Sequence, residues 1–399
     1  MSADRLPAFP MRRPDPFAPP PEYAGLRERA PVSRVELWSG ASAWVLTRYQ
    51  DVRAMLGDAR FSSDPATPGF PVLVDYSGLT INLNPSLVGM EGAAHSRARR
   101  AVLGEFSTGR VRRLRPKIQE FADTCLDALA EGPRPADLVR GFALPVPSLV
   151  ICEVLGVPYR DHEFFQSHSA KWTGRLTPGP DRQAVFDALR SYLDDLVAAK
   201  EREPGNDLLG RQVLRQRAEG EADHDGLVSL AFVLLLGGFE TTANMIALGT
   251  AALLEHPAEL EKLRRDPRLL PGAIEELLRL FTVAELATIR ATTADVEIGG
   301  VRIPAGEGVI GLCQAANHDP DAFDCPAKLD IERTKPSHLA FGYGTHQCIG
   351  QGLARAELEI ALGTLLRRMP SLKLAKPLAE LPLKHDSTLF GVYELPVTW

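Results

Sequence analysis

The chain has 399 residues, 45% of them hydrophobic, which is enough apolar material for a sizeable buried core. Its 45 basic and 51 acidic residues leave a formal net charge of −6, a balance that argues against a general nucleic-acid-binding protein. Five cysteines, an odd number without a C-x-x-C pair, predict neither a disulfide framework nor a zinc site and fit a reducing cytoplasm.

The first residues are rich in proline and charge. Residues 1–24 lack the apolar stretch of a signal peptide or anchor, so we expect a proline-rich N-terminal segment, a cytoplasmic location and no membrane attachment. A single large domain is expected over residues 25–399. It should begin with two strands at 32–37 and 43–47, followed by a helix over 49–56.

Residues 61–90 form a long stretch rich in Pro, Gly, Ser and Asn. Long loops without regular structure are uncommon in compact domains and often cover a site. This stretch therefore either covers a binding site or is a variable surface loop. Helical patterns follow it over 95–156 and 160–214, with interruptions at prolines.

The segment 227–254 is almost wholly apolar and long enough to span a membrane on length alone. Its one charge, Glu240, lies near the middle. A single spanning helix in mid-chain, without flanking topology signals, fits less well than a helix through a large core, and we expect the latter.

The later elements are mixed. The patterns predict helices from 257 and over 271–280, strand character over 288–298, a hairpin with a Gly-Gly turn over 297–304, irregular structure over 315–336, a helix over 351–368 and short strands within 372–399. Helices dominate, with a minority of β hairpins.

A glycine-rich loop at 341–350 carries one cysteine just ahead of the last long helix. Gly342 and Gly344 allow backbone angles and close approaches that a side chain would resist, so a large flat partner could lie against the loop. The free N–H groups of the following helix would favour a thiolate at Cys348, the form that iron or an electrophile requires. A buried structural cysteine is the alternative.

The loop matches the pattern Phe-x-x-Gly-x-His-x-Cys-x-Gly in full, and it resembles the haem-binding loop of the cytochrome P-450 family. The resemblance implies that Cys348 is the axial thiolate ligand of haem b, iron protoporphyrin IX. Further cofactor contacts are implied at Phe341, Gly342, His346 and Gly350. The implied fold is mainly α with small β-sheets, a single large domain with a long central helix over the haem.

The apolar helix carries a polar cluster at its middle. A buried acid is costly unless it is hydrogen-bonded or functional, so Glu240 is either part of a satisfied cluster at a helix crossing or a working group. Thr241 lies four residues after Gly237, so its hydroxyl can bond that carbonyl and loosen the helix, while Gly237 and Gly238 let a planar ligand approach. The segment resembles the oxygen-activating part of the family's central helix. Glu240 and Thr241 are thereby implied to deliver protons for dioxygen activation.

Glu276 and Arg279 have the family's Glu-x-x-Arg form, and this spacing places them on one helical face. By resemblance their role is structural, around the cysteine loop. Where the family commonly has Pro-x-Arg-Phe, this chain has Lys328 in place of the arginine, and lysine offers Glu276 a point charge instead of a planar fork. Arg333 resembles an arginine that soluble members often carry slightly later, and either supplies the fork or is solvated.

Haem propionates need cationic partners when they are partly buried. The resemblance implies four: His95 and Arg99, which share one helical face, Arg290, and His346. The approach to His95 departs from the family, because Glu91-Gly92-Ala93-Ala94 replaces a commoner acidic, proline-containing sequence.

Basic residues concentrate between positions 97 and 117, at Arg97, Arg99, Arg100, Arg110, Arg112, Arg113, Arg115 and Lys117. A solvated face is the ordinary explanation. Our hypothesis is that part of it docks an acidic ferredoxin, which with a ferredoxin reductase would pass electrons from NAD(P)H.

Together the motifs imply a soluble haem-thiolate monooxygenase that uses dioxygen to hydroxylate or epoxidise a lipophilic small molecule, such as a polyketide or terpenoid secondary metabolite. The family's substrate-contact regions correspond to residues 61–90 and to Phe232, Leu235, Ala284, Glu285, Leu286, Ala287, Leu389 and Phe390. Glu285 is the polar exception, and it either meets a polar substrate group or faces solvent.

Three alternatives remain. A peroxygenase of the same family would not need the intact pair Glu240 and Thr241. A non-catalytic haem or helper protein of this fold would be expected to lose Cys348 or that pair, and the chain keeps both. A thiol hydrolase with Cys348 and a base at His346 would leave the other motifs unexplained.

Overall fold

The computed structural model describes residues 6–76, 79–80, 87–334 and 337–399. The α-helices there are α1 (Pro21–Arg29), α2 (Tyr49–Gly57), α3 (Gly92–Leu103), α4 (Thr108–Glu131), α5 (Pro145–Leu155), α6 (His162–Thr173), α7 (Gly179–Arg202), α8 (Leu208–Glu219), α9 (His224–Gly238), α10 (Glu240–Glu255), α11 (Pro257–Arg265), α12 (Leu270–Phe281), α13 (Cys313–Asn317) and α14 (Gln351–Arg368). The strands are β1 (Val32–Glu36), β2 (Ser42–Leu46), β3 (Phe61–Ser62), β4 (Ala136–Asp137), β5 (Ile289–Thr292), β6 (Val296–Ile298), β7 (Val301–Ile303), β8 (Gly308–Gly311), β9 (Lys373–Leu374) and β10 (Pro396–Thr398). The predicted class, mainly α with small β-sheets, is confirmed.

The chain divides into two compact units. The sheet unit comprises Met1–Asp75, Glu255–Cys348 and Leu383–Gly391, and the helical unit comprises Tyr76–Leu254, Ile349–Pro382 and Val392–Trp399. The single domain expected over residues 25–399 stays a prediction, and its expected start falls inside α1.

The sheet unit is built on a five-stranded sheet with the strand order β1-β2-β8-β5-β3. β1 and β2, the two strands predicted first, pair antiparallel, with Val32 opposite Leu46. β8 lies parallel to β2 and antiparallel to β5. The sequence does not predict β8, because two of its four residues are glycines and glycine weakens a strand pattern. A Cβ at Gly311 would lie 2.7 Å from Cε of Met55, so α2 packs closely on this strand.

The proline-rich N-terminal segment is part of the sheet unit. The N–H of Phe9 donates to the carbonyl of Glu36 across 2.8 Å, and the N–H of Glu36 donates to the carbonyl of Pro7, also across 2.8 Å. Phe9 is buried in one hydrophobic cluster with Val35 and Ile310 of the sheet. The segment therefore extends the packing of the sheet.

The helical unit is a set of packed helices with one small sheet. α4 packs along α14, and α5 and α7 pack on α9. The predicted short C-terminal strands are confirmed as β9 and β10, which form a three-stranded sheet with β4. The interruptions that the sequence predicts at prolines include one at Pro145. This proline begins α5, because the first turn of a helix has no use for the N–H that proline lacks.

The long apolar segment is helical, as predicted, and most of it is buried. In the described part of the chain, His224–Glu255 is the one helix long and apolar enough to cross a membrane, judged by length and composition. Val228, Ile246 and Ala251 have no exposed surface, as expected for a helix inside a protein core.

Two predicted irregular regions contain regular elements. The stretch 61–90 begins with β3, which pairs antiparallel with β5, and residues 77–78 and 81–86 lie outside the described residues. The stretch 315–336 overlaps α13, and residues 335–336 are not described either. The predicted Gly-Gly hairpin is confirmed as β6 and β7, with Gly299 at φ 56° and Gly300 at φ 76° in the turn.

Candidate functional site

The cysteine loop of the sheet unit is a tightly bonded turn. The N–H of Cys348 donates to the carbonyl of Phe341 across 2.9 Å. Gly342 and Gly344 have φ values of 69° and 76°, in the left-handed region that favours glycine. A Cβ at Gly344 would lie 2.4 Å from the carbonyl oxygen of Leu56, so this position also excludes a side chain on packing grounds.

Cys348 itself is exposed, which contradicts the alternative of a buried structural cysteine. Cys125, Cys152 and Cys313 are buried, and burial raises their pKa values to about 11, about 12 and about 12. These three remain thiols at neutral pH. Cys325 is exposed but lacks a glycine loop and a following long helix. Cys348 is thus the cysteine whose setting fits a thiolate ligand.

Two further contacts hold the loop within the sheet unit. The guanidinium of Arg53 lies 4.4 Å from the ring centre of Tyr343, and its Nη2 donates to the Tyr343 hydroxyl across 3.0 Å. Nε2 of His346 and the hydroxyl of Ser63 are hydrogen-bonded at 3.0 Å. His346 is therefore fixed to the residue that follows β3. Its predicted contact with a propionate stays a prediction.

Glu276 is the centre of a buried ion network in the same unit. Arg279 donates from Nε and Nη2 to its two carboxylate oxygens across 2.7 and 2.8 Å, and both side chains are 2% exposed. Arg333 donates from Nε to Oε2 across 2.9 Å. The side chain of Lys328 is exposed, and its backbone carbonyl accepts from Arg333 across 3.2 Å. Arg333 therefore supplies the fork that the sequence left open, and the alternative of a solvated Arg333 is wrong.

Asn317 connects this network to the chain entering the cysteine loop. Its carbonyl accepts a hydrogen bond from Nη1 of Arg279 across 2.8 Å, and its side-chain oxygen accepts from the N–H of Leu339 across 2.8 Å. Sequence reasoning missed Asn317. A wholly buried asparagine beside apolar residues is a signal of a structural hydrogen bond, but its partner cannot be read from spacing.

The central helix of the helical unit is interrupted between α9 and α10, at Phe239. The hydroxyl of Thr241 donates to the carbonyl of Gly237 across 3.0 Å, which is the predicted bond. Gly237 is exposed, and a Cβ there would meet no atom of the described structure within 4 Å. A Cβ on Gly238 would lie 2.7 Å from Cδ1 of Ile151. Gly237 is thus the glycine with open space beside it, while packing against α5 already explains Gly238, whose predicted cofactor contact stays a prediction.

Glu240 is 3% exposed and accepts a hydrogen bond from the hydroxyl of Thr173, on α6, across 3.1 Å. That hydroxyl also lies 3.1 Å from the carbonyl oxygen of Ser169. Sequence reasoning missed Thr173, because nothing local to a helix end reveals a partner 67 positions away. The contact satisfies Glu240, as the structural alternative also requires, so the role in proton delivery stays a proposal.

The other predicted propionate partners lie on separate elements. His95 is buried on α3, and burial, with the charge of Arg99 as a second cause, lowers its pKa below the usual value of 6.5. His95 is therefore neutral at neutral pH and would act as a hydrogen-bond donor. Arg290 is buried on β5 and donates from Nη1 to the carbonyl of Ile289 across 2.7 Å.

The predicted substrate contacts on α9 are Phe232 and Leu235, and the structure corrects part of this prediction. Leu235 has no exposed surface, so the prediction that its side chain meets substrate is wrong in this packing. Phe232 is buried edge-on against Trp172 and Phe186, with ring centres 5.6 and 5.7 Å apart. The accessible face of α9 carries the partly exposed Val233 and Leu236 and the exposed Gly237. The sequence could not select this face, because almost every position of α9 is apolar.

The predicted contacts in the sheet unit are mixed in exposure. Ala284, Leu286 and Leu389 are partly exposed, Ala287 is exposed and Phe390 is buried. Glu285 is buried, and its Oε2 pairs with Nη2 of Arg13 at 3.1 Å. The alternative that Glu285 faces solvent is therefore wrong. Burial raises the pKa of this carboxyl, and the charge of Arg13 opposes the rise.

Comparison with known proteins gives one family throughout. The sequence profile of the cytochrome P-450 family matches residues 181–376. Pentalenic acid synthase of Streptomyces avermitilis is 47% identical over 397 residues, covering 98% of this chain and 97% of that protein.

Solved structures agree. The structure of cytochrome P-450 MoxA from Nonomuraea recticatena superposes with a TM-score of 0.91 at 53% identity, covering 98% of both chains. That of the mycinamicin VIII methyl hydroxylase MycCI from Micromonospora griseorubida, bound to mycinamicin VIII, has a TM-score of 0.93 at 40% identity, covering 99% of this chain and 100% of the other. The chain belongs to the cytochrome P-450 family and is an oxidoreductase of the monooxygenase type, with haem and an electron supply from a redox partner.

Proposed function

We propose that this monooxygenase holds haem b through the thiolate of Cys348 and hydroxylates or epoxidises a lipophilic secondary metabolite. The observation that carries the proposal is the exposed Cys348 in a turn that is bonded back to Phe341 and held by the ion network of Glu276. The open space beside Gly237 and the neutral donor at His95 fit a flat cofactor with carboxylate groups. The other predicted contacts, Arg99, Arg290, His346, Gly342 and Gly350, are part of the same proposal.

When bound, haem supplies the reduction of dioxygen and the transfer of one oxygen atom to the substrate. The chain would hold the haem through the thiolate of Cys348 and would supply the proton donors. The hydroxyl of Thr241 and the carboxyl of Glu240 follow the open position of α9, at Gly237. They are proposed to hold and pass the protons that this chemistry consumes.

Thr173 suits both protonation states of Glu240. A hydroxyl has one proton, so it can donate either to Oε2 of Glu240 or to the carbonyl of Ser169, each 3.1 Å away. Ionised Glu240 would accept the proton of Thr173. Protonated Glu240 would donate to the oxygen of Thr173 while Thr173 donates to Ser169. The carboxyl can therefore gain and lose a proton without losing its partner.

A lipophilic substrate is supported by the apolar character of the accessible positions, Val233 and Leu236 on α9 and Ala284, Leu286 and Leu389 in the sheet unit. Ala287 and Phe390 complete the proposed contacts, while Phe232 is left as a supporting core residue. The relatives are named for pentalenic acid and for mycinamicin VIII. A terpenoid or polyketide is accordingly the substrate class that we propose.

The proposed electron donor is a ferredoxin, reduced by a ferredoxin reductase with NAD(P)H. In the described residues no ion pair reaches the exposed side chains of Arg97, Arg100, Arg112 and Arg113, on α3 and α4. Arg110, Arg115 and Lys117 are instead paired with Glu105, Glu359 and Glu120. The unpaired arginines are the ones available to an acidic partner. A cytoplasmic location, where such partners and reduced thiols occur, is proposed with it.

The absorption spectrum of the reduced, carbon-monoxide-bound protein tests the central proposal. We expect the shifted Soret band characteristic of thiolate ligation, and its loss in Cys348→Ala. Cys325→Ala, which removes the other exposed cysteine, should leave the band unchanged. Purified protein that binds no haem, or a band that survives in Cys348→Ala, would contradict the assignment.

The ferredoxin face is tested by charge reversal. Arg112→Glu with Arg113→Glu should slow ferredoxin-supported reduction and weaken its dependence on salt. Arg202→Glu with Arg217→Glu, at exposed positions of α7 and α8, is the control of equal charge change. Equal reduction rates in the three proteins would remove this surface from the proposal.

A further inference from the structure

The proline-rich N-terminal segment, residues 1–24, carries a buried cation at Arg13. Arg13 is 4% exposed, whereas Arg12 beside it is exposed. Burying a guanidinium is unfavourable unless its charge and its donors are satisfied. The partners of Arg13 therefore indicate why the chain holds it there.

Among the described residues, Arg13 makes two hydrogen bonds and one ring contact within the sheet unit. Nη1 donates to the carbonyl of Phe281 across 3.0 Å, and Nη2 pairs with Oε2 of Glu285 at 3.1 Å. The guanidinium carbon lies 4.0 Å from the ring centre of Phe390, which is a cation–π contact. The contacts thus join the N-terminal segment to two stretches more than 260 residues away in sequence.

The first contact is at a helix end that needs support. Phe281 is the last residue of α12, where a cation interacts favourably with the free carbonyls. Thr282 follows with φ 44° and ψ 59°, a left-handed conformation that is costly for a branched side chain. The direction in which the chain leaves α12 is therefore set by what holds this turn, and Arg13 is bonded directly to it.

The other two contacts, Glu285 and Phe390, lie on neighbouring stretches of the chain. The N–H of Phe390 donates to the carbonyl of Val283 across 2.9 Å, so the stretch after α12 and the C-terminal stretch are bonded to each other. Glu285 begins a short turn over Glu285–Ala287. Arg13 contacts both stretches: it binds the carboxylate of Glu285 in the first and lies against the ring of Phe390 in the second.

We propose that Arg13 is a positioning residue for substrate selection. By fixing the end of α12, Glu285 and Phe390 together, it sets the relative position of residues 284–287 and 389–390, and so the shape that they present to a ligand. This rests on the proposed function, in which both stretches contact substrate. The N-terminal segment then determines specificity without touching substrate itself.

Arginine is required because the two bonds come from two nitrogens of one planar fork. Arg13→Lys keeps the charge but replaces the planar fork by a single nitrogen, so it should fold and lose position. Arg13→Ala leaves the buried Glu285 without its cation, so loss of folding in this variant would not test the proposal. The double variant Arg13→Met with Glu285→Gln removes both charges at similar volume. It leaves no buried charge without a partner, so it can still be tested if a single variant does not fold. Arg12→Ala is the matched control.

Two measurements test the proposal on purified haem-loaded protein. In the first, hydrogen exchange should quicken in peptides covering 283–288 and 387–391 of Arg13→Lys and of the double variant, and remain as in the wild type for Arg12→Ala. In the second, Soret titration compares econazole, a bulky azole that reaches beyond the iron, with imidazole. We expect the econazole Kd to rise about tenfold and the imidazole Kd to stay within about twofold.

The outcomes separate the two proposals. Unchanged exchange, or equal shifts for both azoles, in Arg13→Lys and in the double variant would overturn the positioning role, since a merely structural arginine would not alter the selectivity between a large and a small ligand. A wild-type protein that gives no azole-induced Soret shift would instead contradict the proposed function, and that is seen before any variant is compared.

Discussion

Arg333 donates from Nε to Oε2 of Glu276 across 2.9 Å and completes a buried network that the side chain of Lys328 does not enter. The family pattern places an arginine at the position of Lys328, so this chain holds Glu276 with a cation from five residues later. The same carboxylate is bonded by Arg279, and Arg279 is bonded to Asn317, whose side chain accepts from Leu339 ahead of the cysteine loop. The loop is supported through this chain of contacts.

Removing Arg333 should therefore destabilise the protein. Arg333→Met is expected to lower the free energy of unfolding by about 2–3 kcal/mol, because a charge-assisted bond is lost while Glu276 stays buried. Chemical denaturation monitored by tryptophan fluorescence measures this. Lys328→Met, the same change at the exposed lysine, should stay within about 0.5 kcal/mol of the wild type. Equal losses in both variants would mean that the network is not what Arg333 stabilises.

The sequence predicted the local parts of the site and left out the distant ones. The bond from Thr241 to Gly237 and the pairing of Glu276 with Arg279 follow from helical spacing, and both are present. Spacing fixes neighbours within a few turns of a helix. Spacing does not predict which residue of another helix or strand will be the hydrogen-bond partner of a buried polar group.

The partners that were missed all come from far along the chain. Thr173 lies 67 positions before Glu240, and Arg13 lies 272 positions before Glu285. Leu235 was chosen on the wrong face for a related reason, since a helix that is apolar on all sides shows no stripe from which to select the accessible face. Long-range packing determines both the distant hydrogen-bond partners and the accessible face of α9. Neither can be predicted from the local pattern of a single sequence.

Thr173 should matter for proton delivery more than for folding. Thr173→Val removes the hydroxyl that bonds Glu240, so product formation is expected to slow about 10- to 100-fold, while reductant is still consumed and more of the dioxygen ends as hydrogen peroxide. The measurement compares reductant, peroxide and product for one lipophilic substrate found by screening. Thr173→Ser keeps the hydroxyl and should restore coupling. If the serine variant were as uncoupled as the valine variant, the hydroxyl would not be the working group.

His224 should make stability depend on pH. Nδ1 and Nε2 are bonded to Glu201 at 2.9 Å and to Asp194 at 3.1 Å, both on α7, and the bond to Glu201 is the main cause that raises the pKa of this histidine above 6.5. A raised pKa in the folded state contributes stability that is complete below the ordinary value and is lost as pH rises through the folded value. Melting temperatures of the wild type and His224→Gln should therefore differ more at about pH 6 than at about pH 9. A difference independent of pH would contradict the charged pairing.

Gly237 and Gly238 should respond in opposite ways to alanine. At Gly238 the added Cβ would lie 2.7 Å from Cδ1 of Ile151, so Gly238→Ala is expected to cost about 1–3 kcal/mol of stability through overpacking. At Gly237 the Cβ meets no described atom within 4 Å, and alanine is the better helix former, so Gly237→Ala should leave stability unchanged or raise it by up to about 1 kcal/mol. The same methyl group would occupy the open space proposed for the cofactor and dioxygen. Gly237→Ala should therefore fold normally but bind haem or azoles more weakly. Thermal denaturation measures the stability, and Soret titration measures the affinity. A stable variant with wild-type affinity for haem and azoles would mean that the ligand does not lie beside Gly237.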